Sequence, residues 1–376
     1  MALLFLRLGF TAFGGPAAHI AIMETEVVQR RRWLSSERFL DLLGASNLIP
    51  GPSSTELAIF IGYEQAGWAG LVLAGVCFIL PAALMVAALA WAYVRFGGVP
   101  QVAGVLYGIK PVVIAVVVQA LWRLGPTALK RSVPLALIGA AACAAFALGV
   151  DAIGVLVGGG VACALVRRLA ARESGARVLS PPLLAATAAA PASAATFSLV
   201  TLFLTFLKLG ALVFGSGYVL LAFLRADLVD RLHWLSEAQL LDAVAIGQVT
   251  PGPVFTTATF IGYLVGAGAG SAAWGAALAT VGIFLPGFVL VALVRPLVAR
   301  VRRSAVAAAF LDGVNVAALA LMAVVTVQLA RAALVDVPTV AIALAGAVAL
   351  IRFRLNTTWL VAGGALLGAV VQAARY

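Results

Sequence analysis

The residues best suited to chemistry in this chain lie at breaks inside long apolar stretches. One break is Pro50-Gly51-Pro52, and three hydroxyl residues follow it directly: Ser53, Ser54 and Thr55. Backbone groups freed from a helix at membrane depth are tolerated only where protein buries them or a water-filled cavity solvates them. A half-helix that begins after such a break presents unpaired N–H groups and a partial positive charge, and both attract anions. The pattern predicts an anion site at membrane depth.

The second half of the chain repeats these signals. A second Pro-Gly-Pro is present, and each is preceded by a glycine break in an earlier apolar segment. The breaks, the hydroxyl residues and the amides before each Pro-Gly-Pro form the predicted substrate-binding set: Gly14, Gly15, Asn47, Gly51, Ser53, Ser54, Thr55, Gly215, Ser216, Gly217, Gln248, Gly252, Thr256 and Thr257. The alternative for any single glycine or proline is a packing kink.

Three cations fall inside apolar segments. Arg7 and Lys208 occupy corresponding positions in the two halves, and each precedes a glycine break, so we expect both to contribute to the anion site. Snorkelling to the membrane interface is the alternative for both side chains. Lys110 corresponds to the neutral Asn315 and is assigned an auxiliary role. Glu56 follows the first Pro-Gly-Pro without an acidic counterpart, and it is the candidate for ion coupling.

Metal, cofactor and enzyme chemistry find no support in the sequence. Cys77, Cys143 and Cys163 lack metal-ligand spacing, and His19 and His233 lie far apart. The sequence has no His-Glu-x-x-His motif, no paired aspartates and no Walker loop. We therefore predict no metal, no cofactor and no enzymatic activity, with an intramembrane enzyme as the competing hypothesis.

The composition places these residues in a membrane protein. Of the 376 residues 64% are hydrophobic and 10% are charged, which leaves too little polar surface to coat a water-soluble globule. Many apolar runs are long enough to cross about 30 Å of hydrocarbon as helices. The net charge of +11 comes from cations in short connections rather than on one face, so we expect lipid and not nucleic acid as the partner.

Two diverged copies of one unit account for most of the length. Trp33-Leu34-Ser35 returns as Trp234-Leu235-Ser236, and Phe60-Ile61-Gly62-Tyr63 returns as Phe260-Ile261-Gly262-Tyr263. A segment rich in Ala, Pro, Ser and Arg lies between the copies, and its prolines forbid a continuous helix. The predicted organisation is a first transmembrane repeat at 1–168, a cytoplasmic linker at 169–195 and a second, inverted transmembrane repeat at 196–376.

The positions of the loop cations decide between two topologies. If both Pro-Gly-Pro segments cross the membrane, the cations divide almost evenly between the two faces. If each segment dips in and returns, most of the cations share one face, as the positive-inside rule requires. We therefore predict an all-α polytopic membrane protein with two inverted-topology repeats, each with about five crossings plus a re-entrant Pro-Gly-Pro helical hairpin. A plain bundle of 12 or 13 spans, as a rough count, is the alternative.

The motifs resemble the chromate ion transporter (CHR) family in its long, two-repeat form. The resemblance rests on Phe13-Gly14-Gly15-Pro16, Trp33-Leu34, Asn47-Leu48-Ile49-Pro50-Gly51-Pro52 and Phe60-Ile61-Gly62-Tyr63. It implies a secondary transporter that exports chromate across the bacterial inner (plasma) membrane and thereby confers chromate resistance. Chromate is then the expected partner, sulfate is a close structural analogue, and a homodimer is left open.

The implied substrate fits the charges of the predicted site. Two cations and four helix N-termini can compensate a dianion without a dedicated coupling ion. An inside-negative potential favours outward movement of two charges by about 4.6 kcal/mol per 100 mV. A carrier for sulfate or another oxyanion, and an anion channel, are the competing functions.

Overall fold

A computed structural model describes the chain in eight ranges: 1–13, 15–97, 99–130, 132–173, 197–213, 217–294, 304–353 and 355–374. Within these ranges every long regular element is a helix and no strand occurs. Five helices are long and apolar enough to cross a membrane: Ser53–Phe96, Val102–Leu129, Ala152–Leu169, Ala272–Val294 and Ala305–Ala333. The prediction of an all-α, multi-pass membrane protein is confirmed at this level.

The helices follow one another in the same order in both halves, with one long helix of the first half, α4, in the place of two helices of the second, α11 and α12. The first half contains α1 (Ala2–Thr11), α2 (Gly15–Glu24), α3 (Ser36–Ser46), α4 (Ser53–Phe96), α5 (Pro100–Leu129), α6 (Val133–Ala147) and α7 (Ala152–Glu173). The second contains α8 (Leu199–Leu212), α9 (Leu220–Leu224), α10 (Glu237–Val249), α11 (Thr257–Gly268), α12 (Ala272–Val294), α13 (Ala305–Ala333), α14 (Val337–Arg352) and α15 (Thr357–Ala373). The predicted linker at 169–195 lies outside the described residues from position 174 onward.

The outer surface of the helices carries large apolar side chains. Leu137, Leu344 and Leu366 are each about two-thirds exposed, and they lie on three different helices. A water-soluble protein of this size would bury such side chains, whereas lipid tails solvate them. The surface therefore agrees with the composition.

Helix α4 is two helices joined by a reversal. Ala66 and Gly67 have non-helical torsions, and Gly67 has a φ of +57°. After the reversal the two parts run back along each other, and Gly62 and Gly70 lie so close that a methyl group on either would overlap the other's carbonyl. The first part of α4 is therefore a short half-helix, and only the second part is a long apolar span.

The second half of the chain repeats this arrangement. Helix α11 ends at a turn and α12 returns beside it, with Gly262 against Gly275 as the close contact.

In the first half an ion pair of 2.8 Å between Arg38 and Glu64 joins the first turn of α3 to the end of the half-helix in α4. The start and the end of the segment that contains the first Pro-Gly-Pro are thus in contact with each other.

Matched irregularities precede each of these segments. A π-helical turn occupies Thr25–Arg30 in the first half and Arg225–Arg231 in the second. Each turn is followed by a residue with a left-handed backbone, Arg32 at a φ of 51° and His233 at a φ of 53°. Such torsions are uncommon for residues other than glycine. Their recurrence at corresponding positions supports descent of the two halves from one unit.

Helices of the two halves pack directly on each other. Helix α4 contacts α11 and α12, and α5 contacts α13, α14 and α15. One apolar cluster of buried residues draws side chains from both halves, from Val86 on α4 to Leu321 on α13. The two halves therefore share a core, and both Pro-Gly-Pro segments are buried in the molecule.

Candidate functional site

The two Pro-Gly-Pro tips are each hydrogen-bonded to the other half of the chain. The Gly51 N–H donates to the Val213 carbonyl at 2.7 Å, and the Gly252 N–H donates to the Ala12 carbonyl at 2.9 Å. Ala12 and Val213 are corresponding residues, each at the end of the first helix of its half. Both bonds therefore pair a tip with the break in the first helix of the opposite half. Of the predicted break residues, Gly14, Gly215 and Ser216 lie outside the described residues.

Glycine is required at both tips. The φ angles of Gly51 and Gly252 are +131° and +92°, which side chains disfavour. A methyl group on Gly252 would lie 2.5 Å from the Cβ atom of Ala82, and one on Gly51 would overlap the Glu56 carboxylate. The tips are therefore packed as tightly as a glycine allows.

The other described glycines of the predicted set lie near these tips. A methyl group on Gly217 would lie 3.7 Å from the ring of Phe255, on the turn that follows the second Pro-Gly-Pro. Gly15 opens α2 with a φ of +74° and has open space where a side chain would be. Gly217 is therefore close to the turn after the second Pro-Gly-Pro. At Gly15 the positive φ, and not a close contact, is what favours glycine.

The hydroxyl groups near the tips differ in the use of their protons. In the second half the Thr256 hydroxyl donates to the Pro253 carbonyl and the Thr257 hydroxyl donates to the Val254 carbonyl, both at 2.8 Å. In the first half the buried Thr55 hydroxyl has no hydrogen-bond partner among the described residues. The Thr55 hydroxyl thus has a proton free for a ligand.

The hydroxyl of Ser54, the other buried serine or threonine near the first tip, is hydrogen-bonded to His19. Its Nε2 lies 3.0 Å from the Ala12 carbonyl and its Nδ1 lies 3.2 Å from Ser54 Oγ, while its ring meets the edge of Phe78. A carbonyl only accepts, so Nε2 carries a proton, and in a neutral ring Nδ1 then accepts from Ser54. Ser54 therefore spends its proton on His19. No repeat signal points to this role of His19, because the corresponding residue of the second half is Leu220.

The remaining polar residues of the first tip include a buried acid. Both carboxylate oxygens of Glu56 are buried and have no hydrogen-bond partner in the described part of the chain. A methyl group on Gly51 would overlap Oε1, and one on Gly287 of α12 would lie about 3.9 Å from the same oxygen. Ser53 is half-buried at the first position of α4, and Asn47 is exposed at the end of α3.

The amide of Gln248 is the counterpart of Asn47 in the second half. Its Nε2 is buried and has no hydrogen-bond partner within the described ranges. Buried polar atoms in proteins are nearly always paired, so those of Thr55, Glu56 and Gln248 call for an explanation such as a ligand or water. The unpaired atoms follow the first Pro-Gly-Pro and precede the second.

The cations predicted for the site have other partners or positions. Lys208 donates to Asp227 at 2.6 Å, and Arg231 contacts the same carboxylate at 2.8 Å. Arg7 is exposed. The charge of Lys208 is thus compensated by protein, and the structure does not join it to Arg7.

Lys110 lies 3.2 Å from Asp242, which also accepts a hydrogen bond of 2.9 Å from the Tyr93 hydroxyl. Asp242 on α10 is therefore paired with a cation on α5 of the other half. Among the described residues no group of three or more His, Cys, Asp or Glu side chains could hold a metal ion.

Comparison with known proteins identifies related chains. The sequence profile of a family described as "Chromate transporter" matches residues 1–164 and 200–369. The chain is 35% identical to a chromate transport protein of Cupriavidus metallidurans, over 98% of this chain and 92% of that protein. It is 33% identical to a probable chromate transport protein of Synechococcus elongatus, over 85% and 81% of the two chains.

A third relative extends the set. The chain is 35% identical to a chromate transport protein of Pseudomonas aeruginosa, over 86% of this chain and 79% of that protein. No solved structure gives a significant match.

Proposed function

The chain belongs to the chromate transporter family, and on that premise we propose that it carries chromate across a membrane. Two of the relatives named above are chromate transport proteins and the third is a probable one, and each is matched over most of its length. The family also points to a transporter rather than an enzyme. The finer proposal is a secondary transporter that exports chromate across the bacterial inner membrane and so confers chromate resistance.

The architecture proposed for this transport is a pair of inverted repeats. Each repeat has about five crossings and one re-entrant Pro-Gly-Pro hairpin. The Arg38–Glu64 ion pair supports the hairpin, because it holds the start and the end of that segment together. The repeat boundaries at 1–168 and 196–376, with a cytoplasmic linker at 169–195, are part of the same proposal.

The observation that carries the proposed site is the pair of bonds from Gly51 to Val213 and from Gly252 to Ala12. Through them two half-helix starts and two first-helix breaks are grouped in the shared core. In a secondary transporter with inverted repeats, substrate sites occur at such interfaces between broken helices. The chromate site is therefore proposed between the two tips.

The proposed ligands are neutral donors. The Thr55 hydroxyl and the Gln248 amide have protons free for an oxyanion. The N–H groups of Ser53 and Ser54, at the first two positions of a helix, have no helical acceptors and add a partial positive charge. Hydrogen bonds from fixed donors replace the water shell of the dianion.

Arg7 and Lys208 stay predictions as ligands. The ion pair with Asp227 compensates Lys208, so its contribution to binding requires that Asp227 be satisfied by Arg231 instead. Near-normal affinity in Lys208→Gln and Arg7→Gln, at equal expression, would remove both from the site. Glu56 is not required for outward movement, because a potential of 100 mV favours two outward charges by about 4.6 kcal/mol.

The experiment is uptake of labelled chromate into inverted membrane vesicles. Export predicts saturable uptake that rises when the vesicle interior is made positive and that sulfate inhibits, since sulfate is also a tetrahedral dianion. Uptake that does not saturate and shows no trans-stimulation would indicate a channel. Vesicles with the protein that take up no more chromate than vesicles without it would refute the proposal. A homodimer stays a prediction, and cross-linking in the same vesicles measures it.

A further inference from the structure

A second polar cavity lies away from the two tips. It measures about 320 Å³ and lies where the ends of α4 and α13 meet α5 and α10. Its polar lining consists of Tyr93, Tyr107, Lys110 and Asp242, and the rest of the wall is largely apolar. The volume is at the lower end of the range for small-molecule sites, which suits a small ion.

The charges in this cavity belong to different halves of the chain. Lys110 lies on α5 in the first half, and its Nζ is 3.2 Å from Asp242 on α10 in the second. The Asp242 side chain is 5% exposed, while that of Lys110 is 21% exposed. The ammonium group is therefore the accessible member of the pair, and the carboxylate forms the wall behind it.

The tyrosines hold the acids of this region in place. The Tyr93 hydroxyl donates to Asp242 at 2.9 Å, and the Tyr107 hydroxyl donates to Asp336 at 2.7 Å. A donated hydrogen bond stabilises a carboxylate. Tyr93 therefore lowers the free energy needed to separate Asp242 from Lys110.

To an ammonium group, a carboxylate and a tetrahedral oxyanion are equivalent partners, since both offer charged oxygen acceptors. We infer that this cavity is a second oxyanion site, in which chromate or sulfate replaces Asp242 as the counter-ion of Lys110. The inference rests on the proposed function. Asp242 is then a built-in competitor that holds the site closed until an ion displaces it.

The sequence of the other half does not repeat the cation of this site. Asp41 corresponds to Asp242, but the residue that corresponds to Lys110 is the neutral Asn315. A pair of identical inverted repeats would offer the same charge on both faces. Because Lys110 is not duplicated, the two ends of the transport path differ in this charge. Under the proposed topology the charged end is the periplasmic one, where an exported ion leaves.

The exchange of partners also reaches the tip. Asp242 lies on α10, which runs directly into the second Pro-Gly-Pro. An ion that replaces Asp242 as the partner of Lys110 removes the ion pair between α5 and α10. The arm that carries Gly252 then loses one of its attachments to the first half.

The test is equilibrium binding of chromate and of sulfate to the purified protein in lipid nanodiscs, together with transport constants. Asp242→Asn keeps an acceptor for Tyr93 and removes the competing charge, so affinity should rise by about fivefold. Lys110→Gln should lower affinity by about as much, and Asp242→Asn should bring no gain when Lys110→Gln is present. The matched control is Asp41→Asn, the same change at the corresponding residue of the first half, which is not part of this cavity and should leave affinity unchanged.

Each result decides the inference. Unchanged or lower affinity in Asp242→Asn, in a protein whose parent binds and transports chromate, would overturn it and leave the proposed function intact. A parent that neither binds nor transports chromate would refute the proposed function instead. If Asp242→Asn does not insert, Tyr93→Phe replaces it. That variant strengthens the hold of Asp242 on Lys110 and should lower affinity, and an unchanged value would refute the second site.

Discussion

At the scale of single residues, the proposed site depends on which polar protons are already used. Thr257 and Thr55 are both buried threonines in the first turn after a Pro-Gly-Pro, yet Thr257 donates to its own turn and Thr55 does not. Ser54 donates to His19. A hydroxyl that already donates can only accept from its surroundings, so it does not bind an anion.

The first prediction concerns Thr55. Thr55→Val keeps the shape of the side chain and removes the free donor, so affinity for chromate should fall by about tenfold or more, the scale of a hydrogen bond to a charged group. The same change at Thr257 should weaken affinity less. Transport constants at equal expression measure both effects.

The control for this prediction is Thr326→Val. Thr326 is buried on α13 and its hydroxyl donates to the Met322 carbonyl at 2.6 Å, so this variant reports the stability cost of the substitution alone. Equal loss of affinity in Thr55→Val and Thr326→Val would mean that Thr55 does not touch the ion.

The sequence locates the breaks and their polar residues but not the state of each proton. Proline, glycine and hydroxyl residues at membrane depth mark a cavity whatever the details of packing. The partner of Ser54 is a histidine on another helix, and the partner of Lys208 is an aspartate on a π-helical turn. Both pairings follow from how helices cross, which no local spacing encodes.

At the scale of elements, each Pro-Gly-Pro tip is held by contact as well as by hydrogen bonding. Gly252 faces Ala82, which follows Pro81 on α4. A methyl group on Gly252 would also lie 3.3 Å from the carbonyl oxygen of Gly9 on α1. A tip that must sit this close to two helices leaves no room for a methyl group. Glycine is therefore required there for packing. A further role, close approach of an ion, would be indicated only if a second substitution relieved the overlap and transport still failed.

The second prediction separates these two roles. Gly252→Ala should abolish transport, because the added methyl group lies 2.5 Å from the Ala82 Cβ. Ala82→Gly in the same chain removes that overlap and should restore part of the transport if packing is the cause. Gly158→Ala, at a glycine with open space around it, is the control and should transport normally. Failure of the double variant, with normal insertion, would show that overlap with Ala82 is not the cause and would leave the backbone strain at Gly252 and close approach of the ion as the explanations.

The reversal inside α4 shows what an apolar pattern leaves undecided. Residues 53–96 form one almost continuous apolar run, and periodicity alone does not divide it. Ala66 and Gly67 turn the chain, and the close contact of Gly62 with Gly70 stabilises the return. The positive-inside argument predicts a re-entrant segment here, because it counts charges at the ends rather than residues in the run, and that topology stays a prediction.

At the scale of the whole molecule, the proposed inversion of the repeats sets which loops face the cytoplasm. The Arg30–Arg32 loop and the linker should share one face, and the matched loop at His233 should lie on the other. The Arg38–Glu64 pair is consistent with this, since it places the end of the first hairpin beside its start, close in sequence to the Arg30–Arg32 loop.

The third prediction is a labelling pattern. In a chain whose three cysteines are replaced by alanine, Arg31→Cys and Ser174→Cys should react with an impermeant thiol reagent only from the cytoplasm, and His233→Cys only from the periplasm. Spheroplasts and inverted vesicles provide the two directions. Reaction of the Arg31 position from the periplasm, with Ser174 reached only from the cytoplasm, would rule out the re-entrant hairpins.

The bonds between each tip and the opposite half also impose an order on biosynthesis. When the ribosome has made α1 to α7, the Gly51 N–H lacks its acceptor, because Val213 is translated later, and the Ala12 carbonyl has only its bond from His19. An unsatisfied backbone group in hydrocarbon costs several kcal/mol, so the nascent first half cannot settle in lipid alone. It must wait beside the insertion machinery, or keep its tip in water, until the second half arrives to complete it.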